Sequence, residues 1–273
     1  MISEENAVGM LPPGTDLSGD VHQRLRRVGQ QNTEAGDFIG GNLAGANLRG
    51  AWLSFLNLAA ANLDGADLTG ARLNFVRLCG ASLNNCRLEN AQIRCVDASG
   101  ASFREVRGTN SHWETVDLRG ADFSNAKLDL AHFQECTLAS SKLDAADLSR
   151  CILAGCECEE ASFRGALLYR TNTVGSKFFN ADFSGARRFF LCREIVLELL
   201  RREIHGDLDR AKIVGAVGIN PKWCYGEWAQ FLESQPEMHL AAVEIFQQYP
   251  QSGCLEALKI GFRPPPAGDL PDN

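Results

Sequence analysis

From Gly36 to Gly185 the hydrophobic positions recur every five residues, thirty times without an insertion or deletion. The central position of each unit falls at 38, 43, 48 and onward to 183, and it is Leu seventeen times, Phe seven times, and Ile and Trp once each. Two residues earlier stands Ala, Gly, Cys, Ser or Thr in twenty-five of the thirty units. The other three positions are mostly polar or Gly. An amphipathic helix repeats its apolar residues about every 3.6 residues and a half-buried strand alternates, so neither element fits. In extended backbone a large and a small residue two apart point the same way. The pattern therefore predicts short extended segments, each followed by a bend, coiling round a narrow axis. Large centres fill the axis, and small residues let the backbone close in at the corners. Fixed-period self-similarity over this length makes the segment a solenoid.

Many units read A-[D/N]-L-x-x, as in Ala46-Asn47-Leu48-Arg49-Gly50 and Ala66-Asp67-Leu68-Thr69-Gly70. Over about 150 residues the chain thereby resembles the pentapeptide-repeat family. The resemblance implies a right-handed quadrilateral parallel β-helix, mainly β, with four units per coil. A twenty-residue coil can also be tested on the residues themselves, because positions twenty apart would stack. Leu56, Val76, Val96 and Val116, bulky at the small position, form one such column, continued by Cys136 and Cys156. Phe103, Phe123, Phe163 and Phe183 form another, interrupted by Leu143. Coils of fifteen or twenty-five residues would scatter both sets. Thirty units make seven and a half coils, roughly 36 Å at about 4.8 Å per rung. Gly108 replaces a centre close to the undersized Ala98, which predicts a local void or kink and a loss of about 2–5 kcal/mol against a Leu centre. Trp113 is expected to lean in.

The flanks break the period. Residues 1–35 hold an orphan motif, Asp16-Leu17-Ser18-Gly19, and a short helical pattern, Val21, Leu25 and Val28, read as a cap for the first coil. The array is bounded at 36–186. Residues 187–262 take helical spacing and are read as a helical capping and interaction domain. Phe189, Phe190, Cys192, Ile195, Val196, Leu199, Leu200 and Ile204 mark a first helix ending near Gly206. Asn220-Pro221 and Gln235-Pro236 mark two further helix starts, and 254–260 a fourth short helix. Asp207 to Ile213 resumes the repeat in its original frame, either as a stray rung or by coincidence. Residues 263–273, with Pro264-Pro265-Pro266, read as a disordered tail.

Composition changes this picture little. No run of apolar residues is long enough to span a membrane and no secretory leader is apparent, so a soluble cytoplasmic protein is expected. Of ten Cys, Cys86, Cys136, Cys151 and Cys156 take the small inward slot and Cys158 a centre. They read as small buried hydrophobes in a reducing compartment, with Cys136 and Cys156 stacked near disulfide distance. His112 and His132 stand one rung apart beside Glu114 and Gln134, a geometry for a divalent metal or simply two solvated imidazoles. We expect the latter, no cofactor, and no catalysis: no P-loop, G-x-S-x-G or H-E-x-x-H motif occurs. Trp223, Cys224, Tyr225 and Trp228 are the one place for a small enzymatic pocket, and more simply form a core.

Binding is the better expectation. Trp52, Phe55, Arg72 and Phe75 all point outward near one another, marking either a protein-partner site or a face covered by the N-terminal segment. Arg87, Arg107 and Lys127 form a positive column bounded by Asp67 and Asp147, read as part of a mixed-charge ladder with Glu89 and Asp129. The family resemblance implies a second possibility, since some members mimic duplex DNA and bind DNA gyrase or topoisomerase IV. Mimicry asks for an acidic shell. The array holds 17 acidic and 14 basic residues within a chain of net charge −7, and its most acidic column, Arg77, Asp97, Asp117, Thr137, Glu157 and Lys177, is mixed. The sequence thus reads as a non-catalytic scaffold for a protein partner or, through the C-terminal helices, a second copy. Direct nucleic-acid binding is not expected.

Overall fold

The computed structural model describes residues 38–202, 204, 206–219, 228–229, 232 and 235–260. The proposed N-terminal cap, the Asn220-Pro221 helix start, Trp223 to Tyr225 and the 263–273 tail lie outside them. From Phe38 to Arg187 the chain is a parallel β-solenoid with four faces and an invariant register of twenty residues. One face runs from Asn42↔Asn62 to Ser162↔Asp182, a second from Asn47↔Asp67 to Leu167↔Arg187, and a third from Asn57↔Arg77 to Glu157↔Lys177. The fourth carries β1 (Trp52–Ser54), β2 (Arg72–Asn74), β3 (Gln92–Arg94), β4 (His112–Glu114), β5 (His132–Gln134) and β6 (Ile152–Ala154). These six strands pair in sequence order, all parallel.

The side-chain chemistry of the repeat explains the corners. The fifth residue of every unit, from Gly40 to Gly185, has positive φ, and in eighteen units it is not Gly. That conformation costs a non-Gly residue roughly 1–2 kcal/mol. Hydrogen bonds hold it. On three faces the next small residue donates back to the preceding centre, as Ala46 N to Leu43 O (3.0 Å) and Ala61 N to Leu58 O (3.0 Å), closing the turn that demands positive φ at its third residue. The corner N–H itself donates to the following coil, as Asn85 N to Arg104 O (2.9 Å). The Asp/Asn before the centre adds a local bond: Asp67 Oδ1 accepts from Thr69 N (3.0 Å) and Asp147 Oδ1 from Ser149 N (3.0 Å). This is the reason for the repeat's preference, since a short carboxylate or amide caps the bend that follows.

The strand-bearing face differs. At its corners the chain bends without the turn hydrogen bond, and Leu56, Val76, Val96 and Val116 follow these wider corners. The bulky column thus sits where the backbone leaves room for it. In the last coil the turn closes again, Ser176 N to Thr173 O (3.0 Å), and the residue there is small.

The core is built in layers of four centres. In the coil from 96 to 115 these are Ala98, Phe103, Gly108 and Trp113. Phe103 and Trp113 face each other from opposite walls, edge to face at 5.5 Å, while the two undersized centres occupy the other pair of walls. Phe103 stacks on Phe123 (4.6 Å, 4°) and Trp113 on Phe133 (5.3 Å, 13°). No void or kink exists at Gly108. Its N–H reaches Lys127 O (2.8 Å), the Arg87↔Arg107↔Lys127 register runs through, and a Cβ there would meet Leu128 Cδ2 at 2.9 Å and Ser111 Oγ at 3.2 Å. Ser111 Oγ donates to Gly108 O (2.6 Å) and accepts from Trp113 Nε1 (2.7 Å), satisfying the buried indole. Trp113 leans in as expected, and the expected packing loss is corrected: Trp113 and Phe103 have taken the volume.

Among the described residues the helices with defined bounds are α1 (Arg193–Arg202), α2 (Leu208–Ile219), α3 (Pro236–Gln247) and α4 (Cys254–Ile260). α1 lies over the open end of the solenoid, with Ile195, Val196, Leu199 and Leu200 buried. An exposed sheet end leaves backbone groups unpaired, and polar side chains of α1 answer them. Glu198 Oε1 accepts from Asn180 N (3.2 Å), and Arg202, held by Glu198 (3.0 Å), donates to Ala181 O (2.8 Å). Glu194 accepts from Thr173 Oγ1 (2.6 Å). The question left open at 207–213 is settled. That stretch is not a rung but the start of α2, with Asp207 Oδ1 accepting from Asp209 N (2.9 Å) and Arg210 N (3.0 Å) as an N-cap.

Candidate interaction surfaces

The sequence-derived partner set converges in space. Trp52 and Arg72 pair in register between β1 and β2, and the Arg72 guanidinium lies 5.1 Å from the Trp52 ring centre. At the adjoining corner Phe55 and Phe75 stack at 5.3 Å, within 2° of parallel. Trp52 is 61% exposed, Phe55 72% and Phe75 56%. Both Phe residues sit at left-handed corners, with φ of 58° and 55°.

His112 and His132 are neighbours as expected, their rings 4.6 Å apart. Partial burial and then the neighbouring His112 hold the His132 imidazole below its usual pKa. Glu114 is engaged by Arg94 (3.0 Å) rather than turned to the imidazoles, and among the described residues no group of three or more His, Cys, Asp or Glu could hold a metal. Cys136 and Cys156 are free thiols, donating to Trp113 O and Phe133 O (both 3.4 Å). Burial pushes the Cys86 thiol up to about 12 and raises those of Cys151, Cys158 and Cys192, which leaves them poor nucleophiles. Trp228 is core: it is buried, and its Nε1 donates to Phe190 O (2.9 Å).

Part of the surface charge is paired. In the most acidic column Asp117 binds Arg119 (2.5 Å) and Glu157 binds Lys177 (3.4 Å). The Arg119 hydrogen bond holds the Asp117 carboxyl below the usual range, overcoming the burial that raises it. Asp67 is likewise lowered: burial raises it, but the Thr69 hydrogen bonds and the Arg49 and Arg87 guanidiniums prevail. Beside the Arg87, Arg107 and Lys127 column lies a groove of about 500 Å³ whose rim is formed by the corner residues. The sequence held no sign of this concavity, because it depends on how short corner side chains stand beside long basic ones. Nor did it show the polar capping by Glu194, Glu198 and Arg202, whose partners are backbone atoms.

The family model for pentapeptide repeats matches eight copies in this chain, across residues 42–78, 71–107, 117–155 and 156–187. Together these cover just over half of it. The chain belongs to the pentapeptide-repeat family. No curated protein matches it in sequence. Among solved structures it is similar to a trypsin-treated form of QnrB1, a plasmid-mediated fluoroquinolone resistance protein, at 17% identity over 64% of this chain and 76% of that one, with a TM-score of 0.43. It is also similar to HetL from the cyanobacterium Nostoc sp. strain PCC 7120, involved in heterocyst differentiation regulation, at 21% identity over 65% and 91% of the two chains, with a TM-score of 0.22. Among the described residues no helix is long and apolar enough to cross a membrane.

Proposed function

We propose that this protein is a non-catalytic interaction module that docks a protein partner on the Trp52, Phe55, Arg72 and Phe75 surface. One observation carries the reading. Phe55 and Phe75 stack on each other at neighbouring corners, where the repeat mostly places Gly or polar residues, and stay more than half exposed. Large aromatic surface left in water and grouped in one place marks a contact site. Stacked rings beside a cation–aromatic pair also form an apolar patch with a polar edge, the composition of an interface centre. The test replaces both residues with Asn, which tolerates such corners. The double variant should melt no lower than the parent while losing proteins that the parent retains in a quantitative pull-down. An identical retained set would refute the reading.

The helical end is the second contact region, suited to a second copy of the chain. Leu208 on α2 and Leu240 on α3 are 76% and 66% exposed. Sedimentation of the parent against Leu208→Ser and Leu240→Ser variants decides it. Inhibition of DNA gyrase supercoiling by micromolar protein would instead favour the topoisomerase-directed alternative.

A further inference from the structure

We infer that the groove along Arg87, Arg107 and Lys127 is a binding site for a small linear polyanion, an oligophosphate. The three bases occupy one register position in successive coils, Arg87↔Arg107↔Lys127, and so line up at about 4.8 Å intervals. The wall opposite them is low: Gly65 presents no side chain, and Asn85 and Asn125 present short amides that can donate hydrogen bonds. The volume of about 500 Å³ is that of a small-ligand site.

The ion pairs leave two of the three bases available. Arg87 is shared between Asp67 and Glu89, both at 3.6 Å. Arg107 and Lys127 form no ion pair with any described residue, and Glu105 is the one acid on the rim. Like charges stacked directly on a sheet destabilise it. The register is held by backbone bonds, Arg107 N to Cys86 O (2.9 Å) and Lys127 N to Val106 O (2.8 Å), so it does not depend on a base at 107 or 127. Arg forks and the Lys ammonium suit phosphate oxygens. An extended acidic peptide would place same-side carboxylates about 6.6 Å apart, whereas an oligophosphate carries charged oxygens along its whole length.

The experiment titrates the full chain calorimetrically with inorganic tripolyphosphate, with ATP, orthophosphate, sulfate and hexaglutamate as parallel arms. Tripolyphosphate should bind, weakening as salt rises, and orthophosphate and sulfate should bind far less. Arg107→Gln and Lys127→Gln should each weaken binding about tenfold, one charge-assisted contact apiece, with circular dichroism unchanged. Lys142→Gln, on the adjacent face, should leave it unaltered. ATP equal to tripolyphosphate means that the phosphates alone are recognised, and tighter ATP binding places a nucleoside on the rim; either supports the site. No binding, equal binding of sulfate, preference for hexaglutamate, or indifference to both substitutions would overturn it.

Discussion

Replacing Gly108 with Leu would restore the repeat's own consensus, yet the structure predicts that it destabilises the protein. If position 108 were an unfilled centre, a Leu would recover much of a cavity worth about 2–5 kcal/mol. Phe103 and Trp113 already fill that layer. The very first carbon added at 108 would lie 2.9 Å from Leu128 Cδ2 and 3.2 Å from Ser111 Oγ. Leu128 is fully buried and cannot swing aside, and Ser111 is tied to both Gly108 O and Trp113 Nε1. Overpacking of this kind costs about 1–3 kcal/mol, and three further carbons must still be placed. The two accounts therefore differ in sign and by at least about 3 kcal/mol. Thermal melting by circular dichroism reads the difference, at about 2–4 °C per kcal/mol for a chain of this size. Trp113→Leu in the same molecule returns the volume and frees Ser111, so the double variant should melt above the sum of the two single losses. A Gly108→Leu protein that melts higher than the parent would refute layer filling as the reason for the glycine.

Glu198→Ala removes the acceptor of Asn180 N–H and leaves Arg202 without its carboxylate partner; a loss of about 1–3 kcal/mol is expected, with faster amide exchange at Asn180 as the local signature. His132 is held below its usual pKa by burial and by His112, so the unfolded chain binds more protons below about pH 6.5. Stability is then complete above that pH and falls as pH drops through the folded value; His132→Gln should flatten the fall, and a parent that melts higher at pH 5 than at pH 7 would contradict the assignment. Asp67 and Asp117 are depressed by their hydrogen bonds, and their contribution persists above about pH 4 and disappears below it. Asp117→Asn should reduce acid sensitivity in that lower window alone.

The solenoid was legible because its rule is local and repeated: a filled centre, a small neighbour and a capped bend each leave a mark at fixed spacing. The Leu56 to Val116 column showed the coil length, although the wider corners and the absent turn hydrogen bond behind it did not show. Gly108 was misread for a reason of the same kind. Volume is conserved over a layer of four centres spread across twenty residues, whereas the period draws the eye to one unit. At 207–213 a matching pattern of Asp and Leu yielded to helix capping by Asp207, since Asp before a Leu serves an N-cap as well as a repeat corner. The exposed aromatic set was found because it breaks the polar surface rule. The basic groove was half found, as a charge column without its shape.

The most direct test of the twenty-residue coil is a pulsed-EPR distance series using genetically encoded, thiol-independent spin labels at Asn62 paired with Lys142, then with Ser162. Both partners share a face with Asn62, four and five rungs along. Narrow distributions near about 19 Å and about 24 Å are predicted, an increment of one rung for twenty residues. A broad distribution, or a change between the two pairs far from about 5 Å, would contradict the stacking on which the account rests.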